Sequence, residues 1–137
     1  MYKKVLFIFV MLLLQTKVLG DGIVPDFDKM KVFYCKYDET FFNADNSVVS
    51  KSNKSVVLRF DDEYSKLYVQ KEPVVHIKYY DSDRVEFELH SMTDDYISLE
   101  KITVNRLTGE YSGQSRITYD NEAFESRFSK ISGICKN

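Results

Sequence analysis

Imidazoles and carboxylates are the residues of this chain on which catalysis could rest. His76 and His90 are its only two histidines, and Glu88 lies two positions before His90. A general base held by an orienting carboxylate has this composition, but so does a solvated ion pair on the polar face of a strand, and the latter is the commoner arrangement. Ser91 follows His90, yet neighbouring strand residues point to opposite faces, so no Ser/His/Asp triad can be drawn from them. Three acidic runs, Asp61-Asp62-Glu63, Asp81-Ser82-Asp83 and Asp94-Asp95, fall where turns are expected, and there carboxylates cap backbone N–H groups. Calcium needs six to eight oxygens, and none of these runs has the Asp-x-Asp-x-Asp-Gly spacing of a dedicated loop. The sequence therefore offers no catalytic set, no cofactor-binding motif and no metal ligands.

The remaining chemistry belongs to sulfur, to phenols and to one asparagine. Cys35 and Cys135 are the only cysteines. Without histidines at ligand spacing they cannot complete a tetrahedral zinc shell. In an oxidising compartment they are expected to form a disulfide, the alternative being two buried free thiols. Tyr34, Tyr37, Tyr64, Tyr68, Tyr79, Tyr80, Tyr96, Tyr111 and Tyr119 could line a ligand mouth, although strand cores and surface ladders use tyrosine more often. The absence of tryptophan makes a sugar-stacking platform less attractive. Asn53-Lys54-Ser55 matches the N-glycosylation sequon, so Asn53 is a candidate glycan site if the source is eukaryotic.

Whether the cysteines meet oxidising conditions depends on the first twenty residues. Lys3 and Lys4 precede ten apolar residues, Val5 to Leu14, and then Val18 and Gly20 stand at the third and first places before a cut. This is the layout of a secretory signal peptide over residues 1–20, leaving Asp21 first in a single domain, 21–137. As a helix the apolar run rises about 15 Å, half the thickness of a bilayer core, so a membrane anchor is not expected. Three of the 19 basic residues and none of the 21 acidic ones lie in the leader, so the mature formal charge is −5. A surface of that sign repels phosphate backbones, and no run of Lys/Arg with interleaved aromatics offsets it. Nucleic acid is an unpromising partner.

Period-two alternation dominates the mature chain, which predicts an all-β domain. Strands are expected at about 31–37, 55–60, 66–70, 74–80, 84–90, 96–106, 110–119 and 123–128, with a long loop over 38–54 that has room for one short strand around Val48-Val49. A three-residue turn at Asp81-Ser82-Asp83 gives a testable register. It places Val75, Ile77 and Tyr79 against Leu89, Phe87 and Val85 on an inner face. His76, Lys78 and Tyr80 then meet Glu88, Glu86 and Arg84 on the outer one. A second hairpin turns at Leu107-Thr108-Gly109, with Arg106 opposite Glu110. Alternation loses phase between Leu99 and Ile102, for which a β-bulge at Glu100-Lys101 is the expected cause. Seven or eight consecutive antiparallel strands must manage their edges, and a closed or nearly closed small barrel with its ends joined by Cys35–Cys135 does so.

Phe33-Tyr34-Cys35, Ile102 to Gly109 and Ser132-Gly133-Ile134-Cys135-Lys136 together resemble a pattern found in small exported bacterial β proteins. The plan is also similar to that of the periplasmic lysozyme inhibitors of the C-type-inhibitor family, small barrels with an end-to-end disulfide. The chain lacks the Trp and the Gly-rich inhibitory loop with its Ser and Lys, so no functional residue carries over. The expected function is a secreted or periplasmic, non-catalytic binding module for an unknown protein or other macromolecule. The alternatives are an apolar-ligand carrier with its site inside the barrel and a lysozyme inhibitor.

Overall fold

A computed structural model describes residues 24–137, so the expected signal peptide lies outside the described residues. A short 3₁₀ turn, Phe27–Lys29, leads into nine strands: β1 (Lys31–Phe42), β2 (Val48–Asp61), β3 (Lys66–Val69), β4 (Glu72–Pro73), β5 (His76–Tyr80), β6 (Arg84–Met92), β7 (Tyr96–Asn105), β8 (Glu110–Tyr119) and β9 (Arg127–Lys136). They form one antiparallel sheet in the order β4-β3-β2-β1-β9-β8-β7-β6-β5. The edge strands β4 and β5 are separated in the chain only by Val74 and Val75, and the Val74 N–H donates to the Leu67 carbonyl. A dipeptide spans at most about 7 Å, so the sheet must curl strongly to bring its two edges that close.

The strand count is nine rather than seven or eight because Glu72–Pro73 pairs with β3 as a short strand of its own, ahead of the one expected from residue 74. Strand lengths also differ, where polar residues mask alternation. Residues 38–54 are not a long loop. Asp38 to Phe42 continue β1, and Val48 to Lys54 begin β2, paired in register from Asp38↔Asn53 to Phe41↔Ser50. The polar side chains of β2 up to Ser55 are tolerated because that stretch is largely exposed, whereas Glu39 in the extension of β1 is buried. The turn between them is tightened by Asp45, whose carboxylate accepts from the Ser47 N–H, and by Asn46 at φ 66°. Residues 120–126 are loop instead of strand, and the last strand runs through to Lys136.

The β5–β6 register is correct for its first pairs, His76↔Glu88 and Ile77↔Phe87. A bulge at Lys78 then shifts the rest to Tyr79↔Glu86 and Tyr80↔Val85. The shift sends Tyr80 inward and leaves Tyr79 exposed, while Val75 lies outside the strand, 83% exposed. The Tyr80 hydroxyl donates to Asp62 in the β2–β3 turn, which offsets the lost ladder regularity. The expected bulge at Glu100-Lys101 does not form, since β7 pairs without interruption on both sides. The broken alternation has another cause: Glu100 shares the inner face with Ile102 and Val104.

Phe33, Leu58, Phe60, Leu67, Val85, Phe87, Ile102, Val104, Tyr111 and Ile131 make one core on the concave face. The Cys35–Cys135 disulfide lies within it, joining facing residues of β1 and β9. Gly133 lets β9 approach β1 closely, because a Cβ there would strike the Lys36 carbonyl and Tyr37. Turns 61–66, 80–84 and 105–110 define the upper end of the sheet, and turns 42–48, 92–96 and 119–127 the lower end.

Candidate functional site

Below the apolar core the concave face becomes polar. Glu39 of β1, 2% exposed, accepts from Lys54 Nζ of β2 at 2.5 Å and from Ser129 Oγ of β9 at 2.8 Å. Ser129 is in turn 2.5 Å from Ser115 Oγ of β8. The strand period places these residues together, since Glu39 faces Ile131 and Ser52, and Ser115 faces both Ser129 and Glu100. The hydrogen bond to Glu39 holds the Lys54 ammonium above its ordinary pKa. Burial, aided by the nearby Glu39 charge, raises the Glu100 carboxyl, and burial also raises the Tyr37 and Tyr111 phenols. The Ser129 and Ser115 hydroxyls are hydrogen-bonded in a chain to Glu39, but no imidazole joins them and no metal-ligating set accompanies the group among the described residues.

A second site lies on the convex face of the lower half. Cross-strand register aligns Lys101, Gln114 and Lys130 in one row, and Leu99, Arg116, Phe128 and Phe42 in the next. These rows line a trough of about 660 Å³, with Leu99, Phe42 and Phe128 as its apolar floor. The Arg116 guanidinium sits 5.3 Å from the Phe128 ring and Lys130 Nζ 5.7 Å from that of Phe42. Among the described residues Lys101, Arg116 and Lys130 form no ion pair. Phe128 is 43% exposed, and Met92 and Ile97, paired across β6 and β7, extend the apolar surface toward the lower end. Sequence reading missed this group because its members come from β1, β7, β8 and β9. The available signal was the pair of lone cations, Arg116 and Lys130, on the outward phase of otherwise uncharged strand segments.

At the upper end Arg106 does not face Glu110. Its side chain, 3% exposed, turns inward and makes a bidentate pair with Asp62 at 2.8 and 2.9 Å. Tyr80 Oη also donates to Asp62, at 2.8 Å, and the guanidinium lies 4.5 Å from the Phe60 ring. These contacts tie the β2–β3 turn to the β5 and β7 ends. The Arg106 hydrogen bonds hold the Asp62 carboxyl far below its ordinary value, while burial and the bond to Asp62 raise the Tyr80 phenol.

The residues singled out from sequence are dispersed. His76 and His90 stack at 4.2 Å on the convex face, and His90 Nε2 lies 3.1 Å from Glu88. Glu88 also pairs with Lys78 at 3.8 Å, so the group is a surface ion-pair cluster. Asp81 caps the N–H groups of Asp83 and Arg84, and Asp95 contributes its carbonyl to the Asp120 N–H, so these two acidic runs act as turn residues. Asn53 is exposed on β2, opposite Asp38, rather than in a loop. Among the described residues no group of His, Cys, Asp and Glu is placed to hold a metal, and no helix is long and apolar enough to cross a membrane.

Compared with known proteins, the chain matches no family model, no curated protein and no solved structure. Function must be argued from these sites.

Proposed function

We propose that this chain is an exported, non-catalytic binding module that docks an acidic protein surface on its lower convex trough. The observation that carries the reading is the set of Lys101, Arg116 and Lys130, none of them ion-paired among the described residues, around exposed Phe128 on a chain of net negative charge, with Glu88 opposite Lys101 as the bordering carboxylate. Isolated exposed apolar residues need no explanation, but an apolar floor rimmed by cations is the anatomy of an interface. Local positive charge on an acidic molecule also orients encounter, because an anionic partner approaches it favourably.

The scaffold is read as a small barrel closed in its upper half, with residues 72–80 acting as one strand shared by both edges. β4 and β5 each lie antiparallel to their neighbours and so run in the same direction, which fits a single strand that changes partner at Val74. The interior favours a surface-binding role over an apolar-ligand carrier. Its upper half is filled by Phe60, Phe87, Leu58 and Ile102, and its lower half is charged.

The test is quantitative capture by the immobilised protein from the fluid into which it is exported. Wild type is compared with Arg116→Ser/Lys130→Ser and with a control of equal charge change, Lys36→Ser/Lys136→Ser. A salt-eluted acidic protein retained by wild type and the control but lost with the trough variant is expected. Equal capture by all three would overturn the reading.

A further inference from the structure

Along β2 the sheet is incomplete. β1 flanks Val48 to Phe60, but on the other side β3 covers only Leu58 to Asp61. Among the described residues no strand lies beside Val48 to Val56 on that side. The facing wall is short in the same region, since β5 ends its pairing at Glu88 and leaves Leu89 to Met92 bonded to β7 alone. The Gln70 N–H donates to the Val57 carbonyl, so Val57 presents its polar backbone away from β1. The period of two then turns the N–H and C=O groups of Ser55, Asn53 and Lys51 the same way.

Such a row of open donors and acceptors is a template for another strand. Lysines commonly guard such edges, but here they are engaged elsewhere: Lys51 pairs with Asp38 at 3.6 Å and Lys54 with Glu39 at 2.5 Å. The interior beside the gap has unmet demand. Ser52 Oγ is buried without a hydrogen-bond partner, and Glu100 has no cation of its own because Lys54 is committed to Glu39.

We propose that the Lys51–Ser55 edge of β2 takes an extended segment of a partner protein as an added antiparallel strand, with a lysine or arginine of that segment directed inward to Glu100. Main-chain hydrogen bonds supply affinity in such strand addition, and the alternate inward side chains supply selectivity. A second copy of the chain is the less favoured occupant, since the inward basic residue its β2 edge would offer, Lys54, is already paired with Glu39 of its own chain. The inference rests on the open edge and is independent of the trough.

Panning random displayed peptides against the full chain, followed by synthesis of the enriched ones, tests it. Enriched peptides are expected to alternate in polarity and to carry a basic residue on one face. In the complex, the Lys51, Asn53 and Ser55 amides should exchange at least about tenfold more slowly than in the free protein. Asn53→Gln should bind as wild type, whereas Asn53→Pro, which removes an edge donor while sparing the β1 ladder, should lose affinity about tenfold or more. Glu100→Gln should weaken the basic peptides and leave their Lys→Ala counterparts unaffected. Failure to enrich any peptide, unprotected edge amides in the complex, or Asn53→Pro binding at full strength would each overturn the proposal. So would a concentration-dependent dimer in which the same amides become protected, which would assign the edge to a second copy.

Discussion

Glu39 and Glu100 show how position on a strand decides the behaviour of two identical side chains. Glu39 is satisfied by an ammonium and a hydroxyl, whereas Glu100 is desolvated beside a like charge. A carboxyl whose pKa is raised on folding contributes stability below its ordinary value of 4.5, and that contribution is lost as pH rises through the folded value. Glu100→Gln should therefore stabilise the protein by about 1 kcal/mol near pH 7, with the gain vanishing by about pH 4, read from paired urea titrations. Asp62 has the opposite sign. Its carboxyl is lowered by Arg106, so its contribution is present above the ordinary 3.8 and fades as pH falls below it. Asp62→Asn should cost about 2 kcal/mol near pH 7 because the Arg106 guanidinium stays buried without its bidentate partner, and most of that cost should persist at about pH 3, where the paired carboxyl is still ionised. Neither role was legible in sequence. Asp62 reads as one of three acidic turn residues, and Glu100 as a phase error in β7.

At the scale of elements, period-two patterning predicted most strands, and its failures share one physical cause. Alternation reports burial, and where a strand is exposed on both faces or carries a charged residue inward, the signal disappears although the backbone ladder persists. The first half of β2 is of the first kind, whereas Glu39 in the extension of β1 and Glu100 in β7 are of the second. The turn at Leu107-Thr108-Gly109 was legible because it demands a left-handed residue, and Gly109 has φ +80°. The disulfide was also expected, from two cysteines read together with an export leader. It joins residues 100 apart in sequence, a loop for which the chain-entropy model gives about 4.7 kcal/mol. Cys35→Ser/Cys135→Ser should lower the urea midpoint by the equivalent of about 3–5 kcal/mol while keeping a β-type circular dichroism spectrum below the transition.

On the scale of the molecule, charge distribution matters more than net charge. The acidic balance of the chain argues against polyanion binding, yet the sheet gathers Lys101, Arg116 and Lys130 from three strands onto one face. Because these side chains are on the convex surface and make no ion pair among the described residues, Arg116→Ser/Lys130→Ser should change stability by less than about 0.5 kcal/mol, measured by urea titration. Partner binding by the wild type should weaken steeply as salt is raised, and the variant should show little such dependence in titration calorimetry with the captured protein. A variant that unfolds easily would instead mean that the cations serve the fold.

The sequence by itself determined the all-β class and the hairpin turns at Asp81-Ser82-Asp83 and Leu107-Thr108-Gly109, because each depends on local period or local backbone conformation, and it narrowed the two cysteines to a disulfide or two buried thiols. Only the tertiary structure decided that Glu39 and Glu100 share an interior, that Arg106 reaches Asp62, that cations from separate strands converge, and that β2 keeps an open edge. These are consequences of register and curl, which are set by the packing of the whole sheet and leave no local mark in the chain.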